Sequence, residues 1–119
     1  MAESITVDLQ NDGTLGIIRV AGYLNQTSGE ELYQACMRLL ADGVQALLIN
    51  LADCRIANSV GMSCLIEVLE ALDTQGGRMA FCHATSTIGK TLRIMGLLLR
   101  ATLHDTEEDA LQALGDAVG

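Results

Sequence analysis

The sequence predicts an α/β domain built on a mixed, mostly parallel sheet of about five strands with helices covering it. Three observations carry that expectation. Short runs rich in Ile, Val and Leu alternate with segments whose apolar residues recur at i, i+3, i+4 and i+7. Breaks containing Gly, Asn or Asp fall between the runs. Half of the 119 residues are apolar, which is enough to bury one core. The length suits a single domain over 1–119, and no linker, repeat or low-complexity segment interrupts it.

Ser4 to Leu9 alternates polar and apolar residues, Asn11-Asp12-Gly13 is a turn signal, and Leu15 to Leu24 is rich in β-formers; together they predict a hairpin. Thr27 and Glu30 have the spacing of a capping box. Leu32, Cys36, Leu39 and Leu40 then follow at helical spacing to about Asp42, where Gly43 stops the helix. Val44 to Leu51 is apolar apart from Gln45 and Asn50, as expected of a central strand covered on both faces. Ala52 to Ala57 reads as a loop. Leu65, Val68, Leu69 and Leu72 form the stripe of a second helix ending at Gly76-Gly77, and Arg78 to His83 is a fourth strand. Ile88, Leu92, Met95 and Leu99 predict a third helical stripe. Arg100 to His104 makes a last short strand, and Thr106-Glu107-Glu108-Asp109 resembles a capping box ahead of Ala110, Leu111 and Leu114. The order is ββαβαβαβα, with right-handed crossovers.

Composition excludes several functions. Seven Lys/Arg against fifteen Asp/Glu give a net charge of −8, which repels phosphate backbones and anionic headgroups, so no direct nucleic-acid binding is expected. Three aromatic residues, Tyr23, Tyr33 and Phe81, are too few to make stacking platforms for single strands. The longest apolar runs, such as Ala46 to Ile49 and Ile94 to Leu99, fall far short of the ~20 residues of a membrane span. Met1-Ala2-Glu3-Ser4 lacks the basic start of a signal peptide, which leaves the cytoplasm as the expected compartment. Cys36, Cys54, Cys64 and Cys82 contain no pair with the two-residue gap of a zinc or redox motif, and they read as small buried hydrophobes.

The most informative stretch runs from Ala46 to Leu65, where a buried strand is followed by Asn58-Ser59-Val60-Gly61 opening a helix. A serine at the N-cap would satisfy a free N–H of the first turn and is worth roughly 1 kcal/mol over alanine. A phosphate on Ser59 would add about −1.5 to −2 charge at the helix N-terminus without unfolding the domain. Gly61 either leaves the first turn open to close approach by another protein or packs tightly against the sheet. Val60 and Met62 are either the apolar part of a docking face or core residues. Met62 is the better surface candidate, because methionine adapts to partner surfaces.

The element order, the Gly22-Tyr23-Leu24-Asn25 turn, the Asn58-Ser59-Val60-Gly61 helix start and Gly76-Gly77 resemble the STAS domains, in particular the anti-sigma factor antagonists. In that family a strand leads to Asp-Ser-x-Gly at the start of a helix. The resemblance implies a non-enzymatic, protein-binding regulatory module whose partner is an anti-sigma factor with serine kinase activity. It implies phosphorylation at Ser59, which blocks binding, and a partner surface of Asn25, Asn58, Ser59, Val60, Gly61 and Met62. It implies no cofactor and no metal. Other STAS domains serve as subunits of membrane-lipid transport or signalling complexes, and the sequence does not separate these roles. Asn58 and Asn25 stand where the family usually has an acidic residue. Each keeps the size and the carbonyl acceptor but not the charge, and each also suits a cap or turn.

Two catalytic readings compete. Ala84-Thr85-Ser86-Thr87-Ile88-Gly89-Lys90-Thr91 fits a relaxed phosphate-binding loop, with Gly89, Lys90 and Thr91 as its nucleotide-binding end. Ala84 replaces the first glycine, however, and β-branched residues stand where a cradle of N–H groups favours glycine. Cys82 and His83 are adjacent, so on a strand they point to opposite faces and form no nucleophile–base pair. His104 with Cys54 or Cys64 stays open as a distant pairing, and no G-x-S-x-G elbow is present.

Overall fold

In the computed structural model, which describes residues 4–118, the chain begins with the expected hairpin. Met1, Ala2 and Glu3, on which the expectation about the N-terminus rests, lie outside the described residues. β1 (Ile5–Gln10) pairs antiparallel with β2 (Leu15–Leu24). Asn11, Asp12 and Gly13, at φ 54, 55 and 84, supply the left-handed backbone that reverses the chain. The chain continues through α1 (Gln26–Ala41), β3 (Ala46–Ala57), α2 (Ser59–Thr74), β4 (Arg78–Cys82) and α3 (Ser86–Ile94). A 3-10 turn (Leu97–Leu99), β5 (Thr102–His104) and α4 (Glu107–Val118) complete it. The sheet order is β1-β2-β3-β4-β5, with every pair after the first parallel. This is the mixed α/β sheet and the element order that the sequence predicts.

Strand alternation divides the core between two faces. On one face, Ile18, Val20, Leu47, Ile49, Met79 and Phe81 pack beneath the apolar stripes of α1, α2 and α3. On the other, Leu15, Ile17, Leu48, Ala80 and Cys82 pack against Ala110 and Leu114 of α4. Asn50 interrupts the apolar run of β3, and its polar groups are satisfied. Its amide donates to Glu107 Oε1 at 2.9 Å, and its carbonyl accepts from Ala52 N at 2.9 Å. The same Glu107 receives Arg19 at 3.0 Å, and Arg19 also reaches Asp8 at 2.9 Å, so one polar cluster ties α4 to β1, β2 and β3.

Three expectations are corrected. Ala52 to Ala57 is not a loop: β3 continues through it, and Ala21 to Leu24 pair with Asp53 to Ala57 across two register shifts. The pairing supplies the backbone hydrogen bonds that a loop would leave to water. The capping box of α1 is formed by Asn25 and Ser28 rather than Thr27 and Glu30, so the helix starts earlier in the chain. The third stripe stops short of Leu99. Gly96 takes φ 82 and ends the helix, which leaves Leu99 87% exposed.

The four cysteines are free and buried as expected. Burial pushes the Cys36 thiol up to about 12, and burial with the nearby Glu107 charge pushes Cys82 to about 11. Between the ordinary thiol range near ~8.5 and these values, the unfolded chain has released protons that the folded chain still holds. Stability therefore falls as pH rises through that window. We expect a lower urea midpoint at pH 10 than at pH 7, with a smaller drop in Cys36→Ala; equal drops in the two proteins would contradict the assignment. Leu47 is fully buried, so Leu47→Ala should cost ~2–5 kcal/mol in urea unfolding, whereas Leu99→Ala should shift the midpoint little.

Candidate functional site

Where β2 and β3 end side by side, two helices begin. Leu24 and Ala57 are register partners at the close of the two strands, and the N–H of Asn58 donates to the Leu24 carbonyl at 3.0 Å. Each helix is entered through an extended asparagine that caps it. Asn25 Oδ1 accepts from Ser28 N at 3.1 Å, and Asn58 Oδ1 accepts from Gly61 N at 2.9 Å. Ser28, buried in the first turn of α1, returns the first bond by accepting the Asn25 N–H at 2.9 Å and donates its own proton to the Tyr23 carbonyl at 2.6 Å. The capping role expected for Ser59 therefore belongs to Asn58. Ser59 is the first residue of the helix proper.

Two glycines bring the helix starts together. A Cβ on Gly61 would lie 2.3 Å from the Leu24 carbonyl oxygen and 2.6 Å from its carbon, backbone atoms that cannot swing aside. A Cβ on Gly29 would lie 2.8 Å from Cys64 Sγ and 3.3 Å from the Gly61 Cα. Of the two readings of Gly61, tight packing is the one the structure has. Burial pushes the thiol of Cys54 upward, with backbone hydrogen bonds at Leu24 and Ile56 opposing it in part, so the sulfur beneath this corner is a neutral packing group.

The surface above the packed corner carries no charged residue at the two helix starts. Ser59 is exposed, and among the described residues its hydroxyl has no hydrogen-bond partner; its carbonyl accepts from Ser63 Oγ at 2.8 Å. Val60 is 46% exposed whereas Met62 is fully buried, which reverses the expected assignment. The helix phase decides this: Met62 stands three residues before Leu65 and so joins the core stripe. Asn25, Asn58, Ser59 and Val60 thus gather at one end of the sheet, Gly61 contributes backbone, and Met62 points inward. Two residues not expected from the sequence adjoin them. Tyr23 and Ile56 are register partners across β2 and β3, 47% and 61% exposed, and with Gly22, Asp53 and Arg55 they line a shallow cavity of about 320 Å³. Strand alternation alone would put Ile56 on the buried face with Cys54; the register shift between Gly22 and Tyr23, which leaves Arg55 unpaired, turns Ile56 outward, and no local signal in the sequence marks it.

Neither α1 nor α2 has an acidic residue in its first turn, so two helix N-termini, each worth about half a positive charge, meet beside neutral caps. The described residues hold no group of three metal-ligating side chains. The stretch from Ala84 to Thr91 is not a loop either. Thr85 caps α3, and Gly89, Lys90 and Thr91 lie within the helix, with Gly89 buried and facing Leu103. No N–H groups are left to cradle a phosphate at Gly89.

A family model described as STAS domain matches residues 6–110. The chain belongs to the STAS domain family. Among solved structures, this STAS domain is similar to an anti-sigma factor antagonist from Mycobacterium paratuberculosis. The two share 27% identity with a TM-score of 0.78, over 95% of this chain and 96% of that one. It also shares its fold with the Bacillus cell fate determinant SpoIIAA in the phosphorylated form, at 18% identity and a TM-score of 0.74, over 92% of this chain and 97% of that one. RsbS of Moorella thermoacetica has the same fold, at 14% identity and a TM-score of 0.81, with 98% of each chain covered. Among the described residues of this STAS domain, no helix is long and apolar enough to cross a membrane.

The packing at Gly61 and the cap at Asn58 make separable claims. We expect Gly61→Ala to destabilise the domain by roughly 1–3 kcal/mol or more, and Asn58→Ala by about 1 kcal/mol. Ser59→Ala should melt close to wild type. Thermal denaturation of the three variants checks the ranking, and a wild-type melting temperature for Gly61→Ala would remove the packing account.

Proposed function

We propose that this STAS domain is a regulatory module that binds an anti-sigma factor with serine kinase activity and is released when that kinase phosphorylates Ser59. One observation carries the reading: the Ser59 hydroxyl is exposed at the first position of a helix capped by a different residue. A kinase can reach such a hydroxyl, and adding a phosphate to it removes no bond that holds the fold. The partner surface consists of Asn25, Asn58, Ser59 and Val60 with the backbone at Gly61, and it extends to Tyr23 and Ile56. Exposed Val60, Ile56 and Tyr23 supply the apolar contact area, and aromatic residues such as Tyr23 are favoured anchors in interfaces. On this reading the domain is a non-enzymatic binding module of the cytoplasm.

Phosphorylation changes this surface sharply. About −1.5 to −2 charge arrives where the partner packs against a neutral helix start. Within the free domain the dianion sits well, because two uncompensated helix N-termini face it and Asn58 adds no like charge. In the complex it would be desolvated without a partner cation, which costs enough to separate the proteins. The solved phosphorylated form of SpoIIAA supports the reading from a protein of the same fold.

The test uses the anti-sigma factor kinase from the same host. Wild type and Ser59→Ala should bind it equally in calorimetry, and Ser59→Asp should bind at least about tenfold more weakly, a difference of ~1.4 kcal/mol. Incubation with ATP should add one phosphoryl group to wild type and none to Ser59→Ala, read by intact mass. Equal binding by all three proteins would sink the switch, and an unmodified wild type would sink phosphorylation.

A further inference from the structure

The charges of this domain are unevenly placed. No acidic residue occurs from Thr74 to His104, a stretch that holds Arg78, Lys90, Arg93 and Arg100, four of the seven cations. The other three cations share the remaining sequence with all fifteen acidic residues. Within the acid-free stretch, Lys90, Arg93 and Ile94 stand at i, i+3 and i+4, on the face of α3 opposite buried Ile88, Gly89 and Leu92. Ile94 is 82% exposed and Leu99, just beyond Gly96, is 87% exposed, more than any other large apolar residue described. Arg100 is paired with Asp73 at 3.3 Å, whereas Lys90 and Arg93 form no ion pair among the described residues. Isolated exposed apolar residues are ordinary, but two of them beside unpaired cations form a basic–apolar flank.

The opposite edge of the same molecule carries the complementary chemistry. α3 lies over β5, where Gly89 meets Leu103, while α1 lies at the β1 edge. Along the outer side of α1 runs an open groove of about 1000 Å³. Ile5, Val7 and Tyr33 give it an apolar lining, and Glu30, Glu31 and Glu67 give it a negative rim. Arg38, towards the far end of α1, is its one cation. All three glutamates are exposed and none forms an ion pair among the described residues; Glu30 only receives the amide of Gln26 at 3.4 Å.

We propose that the α3 flank of one copy docks into the α1 groove of a second copy, so that these STAS domains associate side by side and head to tail. Lys90 and Arg93 meet the Glu30, Glu31 and Glu67 rim, and Ile94 and Leu99 cover the apolar lining. Charge complementarity selects this occupant, because the surface that the flank requires is present on every copy. An anionic membrane fits less well: two unpaired cations give little attraction, and the remainder of an acidic chain opposes it. The net charge of −8 repels a second copy only at long range. At physiological salt that repulsion is screened beyond ~8 Å, while contacting pairs are shorter than this. Flank and groove are different surfaces, so the contact is heterologous. It leaves a free flank at one end and a free groove at the other, and the assembly grows into short chains rather than stopping at a closed dimer. This inference does not rest on Ser59, which lies on neither surface.

Two one-sided variants test it, each altered only at exposed positions. Arg93→Glu/Ile94→Ser disables the flank, and Glu30→Arg/Glu31→Arg disables the groove. In sedimentation velocity, wild type should shift to larger species as concentration rises from ~10 μM to ~1 mM, and each variant alone should associate at least about tenfold more weakly. Mixed one to one, the flank-disabled and groove-disabled proteins should form a heterodimer and nothing larger, because only one productive pairing remains. A wild type that stays monomeric across this range would overturn the proposal, as would a mixture that stays monomeric. If the monomeric wild type instead binds phosphatidylglycerol vesicles and Arg93→Glu/Ile94→Ser does not, the flank is a membrane surface and the second copy is rejected.

Discussion

The carbonyl of Leu24 leaves no room for a side chain at Gly61, in the first turn of α2. It accepts the Asn58 N–H at 3.0 Å and stands where any Cβ on Gly61 would have to go. With Gly29 seated on Cys64 and Gly61, this contact closes the gap between the two crossover helices at their N-terminal ends. Much of the site follows from that approach. Both helices leave the same end of the sheet, both present their free N–H groups there, and the residues after the second cap face outward because Met62 and Leu65 must face inward. A bulkier residue at either glycine would separate the helix starts before it altered any exposed group.

Charge is distributed among the helix starts with the same selectivity. α4 begins with Glu107, Glu108 and Asp109, which oppose its dipole in the usual way, and Glu107 also holds Arg19 and Asn50. In contrast, α1 and α2 begin with neutral asparagine caps and no acid in the first turn, although the chain has fifteen acidic residues to place. The C-terminal helix is thus fastened by an ion pair and an amide hydrogen bond, while the two helix starts at the site keep an uncompensated positive end. A dianion is accommodated at the second kind of start and repelled at the first.

Much of this could be read from the residues because it depends on local period and local caps. The apolar stripe of α2, the run from Val44 to Leu51 and the helix opening at Asn58-Ser59 are all short-range signals. Ala52 to Ala57 carries no such signal, since Asp53 and Arg55 resemble a polar loop. What makes the segment a strand is Ala21 to Leu24 pairing alongside it, from far away in the sequence. The break before Leu99 required knowing that Gly96 takes a left-handed backbone, and the Arg19–Glu107 pair joins residues 88 apart. Met62 differs from these: its place three residues before Leu65 puts it in the stripe, and helix phase outweighs the surface adaptability of methionine.

The shift of the cap from Ser59 to Asn58 also bears on how a modification could act. Had Ser59 been the cap, a phosphate would have disturbed the acceptor that holds the first turn, and the fold would have lost roughly the 1 kcal/mol that a cap supplies. Modification would then have coupled to stability. With Asn58 accepting the Gly61 N–H, the serine hydroxyl holds nothing in place among the described residues. Its chemistry can change while Leu24, Gly61 and Gly29 keep the helix starts in register. A surface that alters its charge without altering its shape acts through the desolvation and electrostatics of a docking partner, and the rigid corner beneath it makes that separation possible.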